Sequence, residues 1–182
     1  MTKVDRGGPL VWLRAFGGTA IGQVGEDAIA GLGAKALGLL TYLAVNAPTP
    51  VTRDAIVDLL WERVDPSQGK GSLRQELRSF KRNMGGDLFE ALFDVSDNHI
   101  GLRAGMVAFD VDQLDAAANS EDPDEIAKII QIYRDDFLAG NTARAEPFQD
   151  WARERATYYR DLAVAAMVRL AFLDLEAGRY ER

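Results

Sequence analysis

The order of predicted segments between residues 34 and 103 constrains the fold more than any other feature of this chain. Apolar residues recur at helical spacing in AKALGLLTYLAVN, residues 34–46, and Pro48 and Pro50 end this first helix. Thr52 is a suitable N-cap for a short second helix in RDAIVDLLW. A third helix, rich in basic residues, follows, and LFDVSDNHIGLR then predicts two strands around a turn at residues 96–98. We therefore expect three helices followed by a β-hairpin.

The residues before the first helix complete this unit. LVWLRAFGGTAIGQVGEDAI, residues 10–29, mixes β-branched and aromatic residues with closely spaced glycines, which is typical of short strands and tight turns. A small antiparallel sheet is expected there. Together with the three helices and the hairpin, it predicts an α+β winged helix-turn-helix domain over residues 9–104, after a flexible N-terminus at residues 1–8.

The third helix is basic although the chain as a whole is acidic. The formal net charge is −7, yet GSLRQELRSFKRNMGG, residues 71–86, contains four Lys and Arg residues against one Glu. On a helical wheel the apolar residues form one seam and the cations occupy the adjoining arc. Long cations at this spacing can contact phosphates on both sides of a DNA major groove, and an inward-pointing Arg or Gln can bond guanine or adenine edges. We therefore predict that helix 71–85 lies in the major groove of DNA.

The start of this helix is ambiguous in the sequence. Asp65 followed by Pro66 could cap an early start, whereas Ser72 and Gln75 form a capping box that favours a later one. The early start would place two glycines inside the helix, where each costs about 1 kcal/mol relative to Ala. The later start is preferred, with residues 69–71 as a loop.

The predicted DNA contacts are of two kinds. The side chains expected to reach base edges are Arg74, Gln75 and Arg78. The side chains expected to contact phosphates are Arg53, Lys70, Lys81 and Arg82 and, from the hairpin turn, His99. Each of two residues also has an alternative role without DNA: Gln75 would belong to the capping box, and His99 would be an ordinary turn residue. Because Asp94 and Asp97 make the hairpin acidic, contacts from this wing are expected to be weak.

The second part of the chain differs in charge and in periodicity. Residues 1–105 hold 12 Lys and Arg and 12 Asp and Glu, whereas residues 106–182 hold 9 and 16, so the whole net charge lies in the second part. VDQLDAAANSEDPDEIAKIIQIYRDDFLAG predicts two short helices with a break at residues 120–123. A longer helix is predicted over residues 147–177, with an apolar stripe that includes Trp151 and Tyr158. An exposed part of this stripe could drive homodimerisation.

Four separated motifs give the sequence a resemblance to the SARP and AfsR-type transcriptional regulators. They are AKALGLLTYLAVNAPTPVTRDAIVDLLW, SLRQELRSFKRNMG, EPFQDWARERATYYRDLAVAAMVRLA and EAGRYER, in this order over residues 10–182. In this family an OmpR/PhoB-like winged helix precedes a bacterial transcriptional activation domain (BTAD), which is related to tetratricopeptide (TPR) repeats.

The resemblance carries several expectations about this chain. It implies that residues 105–182 are the N-terminal part of an all-α, TPR-like BTAD and that the chain is a fragment of a longer regulator. It also implies a bacterial transcriptional activator that binds direct repeats in promoter DNA as head-to-tail pairs and helps to recruit RNA polymerase.

Enzymatic, metal-dependent and membrane functions are not expected. The chain has one histidine and no cysteine, and its glycine-rich stretches complete neither a phosphate loop nor a dinucleotide-binding motif. No catalytic residue, metal-ligand set or cofactor is therefore predicted. No apolar run approaches the roughly 20 residues of a membrane span, and charged residues interrupt the N-terminus, so we expect a cytoplasmic protein.

A function of another class is also compatible with the sequence. The first unit has no net charge and its hairpin turn is acidic, which fits a signalling or protein-interaction module that uses the winged-helix scaffold without DNA. The salt dependence of DNA binding separates the two hypotheses, because counterion release makes phosphate binding steeply dependent on salt.

Overall fold

The computed structural model describes residues 8–62 and 64–179, which form a mixed α/β fold. The helices are α1 (Ala34–Asn46), α2 (Arg53–Leu60), α3 (Pro66–Met84), α4 (Gly86–Leu92), α5 (Asp110–Ala118), α6 (Pro123–Ala127), α7 (Ile129–Ile132) and α8 (Glu146–Glu176). The strands are β1 (Val11–Arg14), β2 (Ala20–Gln23), β3 (Val51–Thr52), β4 (Phe93–Val95), β5 (His99–Leu102) and β6 (Val107–Phe109). The predicted flexible N-terminus, residues 1–8, lies outside the described residues except for Gly8.

A three-stranded sheet joins the two parts of the chain. β1 pairs antiparallel with β2 and parallel with β6, so that Leu13 lies between Ile21 and Phe109. The predicted antiparallel strands within residues 10–29 are therefore confirmed. The third strand, β6, was not predicted, and it lies beyond residue 104, where the sequence placed the start of the second unit. The division of the chain at that residue stays a prediction.

Helix α3 begins at Pro66, earlier than the preferred sequence interpretation, which was therefore wrong about its start. Asp65 is the N-cap and its carboxylate accepts a hydrogen bond of 2.8 Å from the backbone N–H of Ser67. Gly69 is buried, and a Cβ atom at this position would overlap Cγ1 of Val57 in α2. The glycine thus permits α2 and α3 to pack closely, which offsets the low helix propensity that argued against an early start.

The hairpin after α3 is confirmed and belongs to a second small sheet. β4 and β5 pair around the turn at residues 96–98, and β3 adds to the other side of β5. The short helix α4, which the sequence did not predict, separates α3 from β4. The rings of Phe80 in α3 and Phe89 in α4 contact that of Phe93, with centroid distances of 5.3 and 4.6 Å. This aromatic cluster fixes the end of α3 to the hairpin.

Helix α8 corresponds to the predicted long helix and packs against both parts of the chain. At its N-terminal end, Phe148 lies so close to Gly38 of α1 that a Cβ there would be 2.6 Å from Cζ of the ring. Tyr159 is 3% exposed and its ring lies 5.8 Å from that of Phe16. Tyr158, which the sequence placed in the packing stripe, is instead 52% exposed. The buried stripe is therefore rotated by one residue at this point.

The C-terminal half of α8 carries an exposed apolar face. Val164, Val168, Phe172 and Leu175 recur at helical spacing and are between 50% and 64% exposed. This face does not coincide with the apolar stripe predicted from the sequence, one of whose members toward the C-terminal end, Leu170, is buried at 5% exposed. Homodimerisation through the predicted stripe stays a prediction.

Asp110 connects the start of α5 to the end of β1. Its carboxylate accepts hydrogen bonds from the backbone N–H groups of Ala15, at 2.8 Å, and of Phe16, at 3.0 Å. Burial raises the pKa of Asp110 to about 6, although these N–H groups act in the opposite direction. The carboxyl group with this raised pKa therefore lies at the junction between β1 of the N-terminal sheet and helix α5.

Candidate nucleic-acid interface

Helix α3 separates a buried apolar face from a cationic one. Its core-facing residues are Gly69, Leu73, Leu77, Phe80 and Met84. The cations of the other face, called here the basic face, are Lys70, Arg74, Arg78, Lys81 and Arg82, and all of them are exposed. Because the apolar face fixes the rotation of the helix, the basic face is held toward solvent.

Four of the predicted contact residues line one groove between α3, the start of α2 and the hairpin turn. This wing groove is formed by Arg53, Lys70, Leu73, Arg74, Leu77, Arg78 and Asp97. The sequence predicted its cations but treated Asp97 only as part of an acidic turn. Among the described residues that line this groove, Asp97 is the acidic one, and it lies beside four cationic side chains.

The cations of the basic face differ in how far they are neutralised. Lys70 forms an ion pair of 2.8 Å with Asp54 of α2, and Lys81 forms one of 2.8 Å with Glu90 of α4. Among the described residues, Arg74 has no ion pair or side-chain hydrogen bond, and the same holds for Arg78. These two guanidinium groups keep all their donors available for a ligand.

Gln75 and Arg82 lie on the other flank of α3. There they line a second groove with Lys35, Trp61 and Glu76. The ammonium group of Lys35 lies 4.8 Å from the centroid of the Trp61 ring. Burial raises the pKa of Glu76, and the charge of Lys35 opposes this shift. The sequence did not single out Lys35, since it is an isolated lysine at the start of α1.

Arg53 holds the hairpin turn against α2. Its backbone N–H donates to the carbonyl of Asn98 at 2.8 Å, and its Nε donates to the carbonyl of Ser96 at 3.0 Å. The two acceptors flank Asp97 in the sequence. Arg53 therefore fixes the turn, and its side chain also lines the wing groove.

His99 lies apart from the basic face. It is exposed and lines a shallow hollow with Pro50, Asp94 and Ser96. Ser96 closes the turn beside it, because its hydroxyl accepts a hydrogen bond of 3.0 Å from the backbone N–H of His99. The structure therefore brings Arg53, but not His99, together with the cations of α3.

No group of three or more His, Cys, Asp or Glu residues that could hold a metal ion occurs within residues 8–62 and 64–179. Within the same residues, no helix combines the length and the apolar character that crossing a membrane requires.

Comparison with known proteins supports the fold at the level of a distant likeness. The structure is similar to that of EmbR from Mycobacterium tuberculosis, solved in complex with a low-affinity phosphopeptide, with a TM-score of 0.72 and 18% sequence identity. The similarity covers 93% of the present chain but only 47% of the EmbR chain, so the chain spans about half of that length. No protein-family model and no curated protein matches the sequence.

Proposed function

We propose that the chain is a sequence-specific, DNA-binding transcriptional regulator that places α3 in the major groove. The observation that carries this proposal is the wing groove, in which α3 and the start of α2 direct four cations toward one open space. An α-helix with its side chains is about 10–12 Å across, and the major groove of B-DNA is about 12 Å wide. A helix whose exposed face is cationic and whose opposite face is fixed in a core suits this groove.

Arg74 and Arg78 are the side chains that we assign to base edges. Both are exposed at the middle of α3, and an unpaired guanidinium can bond the O6 and N7 atoms of guanine with two donors. Gln75, on the other flank, could bond adenine in the same bidentate way.

The remaining predicted contacts are assigned to phosphates. They are Arg53, Lys70, Lys81, Arg82 and His99. The ion pairs of Lys70 and Lys81 with exposed carboxylates do not oppose this role strongly, since exposed pairs contribute only about 0–1 kcal/mol. A phosphate can therefore replace either carboxylate.

The fold supports a finer architectural proposal. We assign the first unit to the winged helix-turn-helix class and the helices from α5 onward to a TPR-like BTAD. The likeness to EmbR supports the SARP-type resemblance at the level of the fold. By that resemblance, the regulator would act in the bacterial cytoplasm as an activator on direct repeats in a promoter and would help to recruit RNA polymerase, with no catalytic role of its own.

The second candidate function is a protein-interaction module. It is favoured by the acidic partners of the basic face and by the acidic hairpin, which lower its attraction for DNA. In this case the exposed apolar face of α8 or the grooves beside α3 would contact a protein.

Binding to DNA in two salt concentrations tests the proposal. Fluorescence anisotropy would measure the affinity of the chain for duplexes from the region upstream of its own gene, at about 50 and 200 mM salt. The test variant is Arg74→Ala/Arg78→Ala. The matched control is Lys128→Ala/Arg134→Ala, which removes the same charge from a groove beside β1 and α7.

We expect saturable, sequence-selective binding that weakens steeply as salt increases. Each base-reading arginine should contribute about 1–3 kcal/mol on the preferred site and much less on other sequences. The control variant should bind nearly as the wild type does. An absence of binding by the folded wild-type protein at low salt would refute the proposal and favour the protein-interaction module.

A further inference from the structure

Asp97 is an unexpected residue in a surface that binds DNA. It is exposed in the turn between β4 and β5 and lines the wing groove with Arg53, Lys70, Arg74 and Arg78. Among the described residues its carboxylate forms no ion pair within 4 Å and no hydrogen bond. Its negative charge is therefore not cancelled by a direct partner.

The turn is attached to α2 on both sides of Asp97. The carbonyl of Ser96 accepts from the side chain of Arg53, and the carbonyl of Asn98 accepts from the backbone of Arg53. The Ser96 hydroxyl also bonds the backbone of His99 at 3.0 Å. These hydrogen bonds hold the turn on both sides of Asp97 and so position its carboxylate beside the groove.

A DNA phosphate that enters the wing groove would meet this carboxylate as well as the cations. We propose that Asp97 limits the affinity of the interface for DNA, by repelling the phosphates that the cations of the same groove attract. This inference rests on the proposed DNA-binding function. Its consequence is that phosphate contacts alone hold the chain weakly, so that stable binding depends more on the base contacts of Arg74 and Arg78.

The same hairpin offers a matched control. Asp94 is also exposed, but it lies in the hollow with Pro50, Ser96 and His99 rather than in the wing groove. Asp97→Asn and Asp94→Asn therefore remove the same charge at positions three residues apart, and only the first removes it from the groove. Circular dichroism would verify that both variants are folded.

The experiment measures binding of the wild-type chain and both variants to a preferred duplex and to an unrelated duplex, over a range of salt concentrations. In water, one charge about 7 Å from a phosphate changes the equilibrium constant for DNA binding by on the order of threefold. Asp97→Asn should therefore bind both duplexes about threefold more tightly in 50 mM salt, with less gain at higher salt. The slope of log affinity against log salt should become steeper by up to about 0.9. Asp94→Asn should change much less.

Three results would overturn the inference. Equal effects of the two variants would show that only the total charge matters. If Asp97→Asn changed the affinity only for duplexes that differ at one base-pair position, the carboxylate would contact a base instead of repelling phosphates. If the folded wild-type chain and both variants fail to bind DNA at low salt, the proposed function itself fails and the inference fails with it.

Discussion

The packing of Gly69 against Val57 gives a sharp test of where α3 begins. The two glycines near its start have different surroundings. A Cβ at Gly69 would overlap Cγ1 of Val57, whereas a Cβ at Gly71 would meet only the end of the Arg74 side chain, at 3.9 Å. The substitutions Gly69→Ala and Gly71→Ala should therefore change stability in opposite directions.

The expected magnitudes follow from two opposing effects. Within a helix, Ala is more favourable than Gly by about 0.5–1 kcal/mol, and this gain applies to both positions. At Gly69 the overlap with a buried side chain costs about 1–3 kcal/mol in addition. We expect Gly71→Ala to raise the melting temperature by about 2–4 °C and Gly69→Ala to lower it by a similar or larger amount.

Thermal and urea denaturation, followed by far-UV circular dichroism, would measure these changes. The double variant Gly69→Ala/Val57→Ala provides the control, because truncation of Val57 removes the atom that the new methyl group would overlap. The effects of the two single substitutions should then be coupled favourably by about 1–2 kcal/mol. If Gly69→Ala stabilises the protein as much as Gly71→Ala does and shows no coupling to Val57, the early start of α3 is refuted.

Two further predictions concern the packing between the parts of the chain. The folded-state pKa of Asp110, about 6, is above its unfolded value of 3.8, so the folded protein binds this proton more tightly than the unfolded chain does. Protonation of Asp110 therefore stabilises the fold below pH 6, and this stabilisation is lost as the pH rises through 6. The difference in unfolding free energy between the wild type and Asp110→Asn should therefore shift in favour of the wild type from pH 7 to pH 4. Urea denaturation at several pH values would measure this difference, and a constant difference would contradict the prediction. Gly38→Ala would press a methyl group into the ring of Phe148, so we expect a loss of about 1–3 kcal/mol in denaturation experiments, and an unchanged stability would contradict the contact between α1 and α8.

The sequence predicted the elements whose signals are local. The first helix, the hairpin turn and the long helix α8 were each marked by periodicity, prolines or turn residues, and the structure contains all three. Strand β6 and helix α4 were missed because their stability comes from partners distant in the sequence. β6 has three residues and pairs with β1, and α4 has seven residues and packs through Phe89 on Phe93.

The preferred start of α3 was wrong for a related reason. A capping box at Ser72 is a local signal, and the cost of glycine in a helix is also counted locally. The compensating contact at Gly69 comes from Val57, twelve positions earlier in a different helix. Such a close approach of a side chain to the backbone of another helix is visible only when the packing of α2 and α3 is known.

In the candidate site, too, the sequence alone did not predict which charges lie next to one another. The sequence identified the cations of α3 and the rotation of the helix that exposes them. It could not show that Lys70 faces Asp54, that Lys81 faces Glu90, or that Asp97 enters the wing groove. Each of these carboxylates belongs to a neighbouring element, so the net charge of a segment does not measure its attraction for DNA.

This distribution of charge also bears on how the two functional hypotheses should be separated. Because Lys70 and Lys81 have exposed carboxylate partners, a phosphate must displace an acid at each of them. Arg74 and Arg78 have no ion pair within the described part of the chain and need no such displacement. Each displacement costs only about 0–1 kcal/mol, so it lowers non-specific affinity modestly even if the chain reads DNA correctly. Binding to an arbitrary duplex is therefore a weaker test than binding to a preferred site. A preferred sequence, the loss of that preference in Arg74→Ala/Arg78→Ala and a steep salt dependence together distinguish a DNA reader from a protein-interaction module.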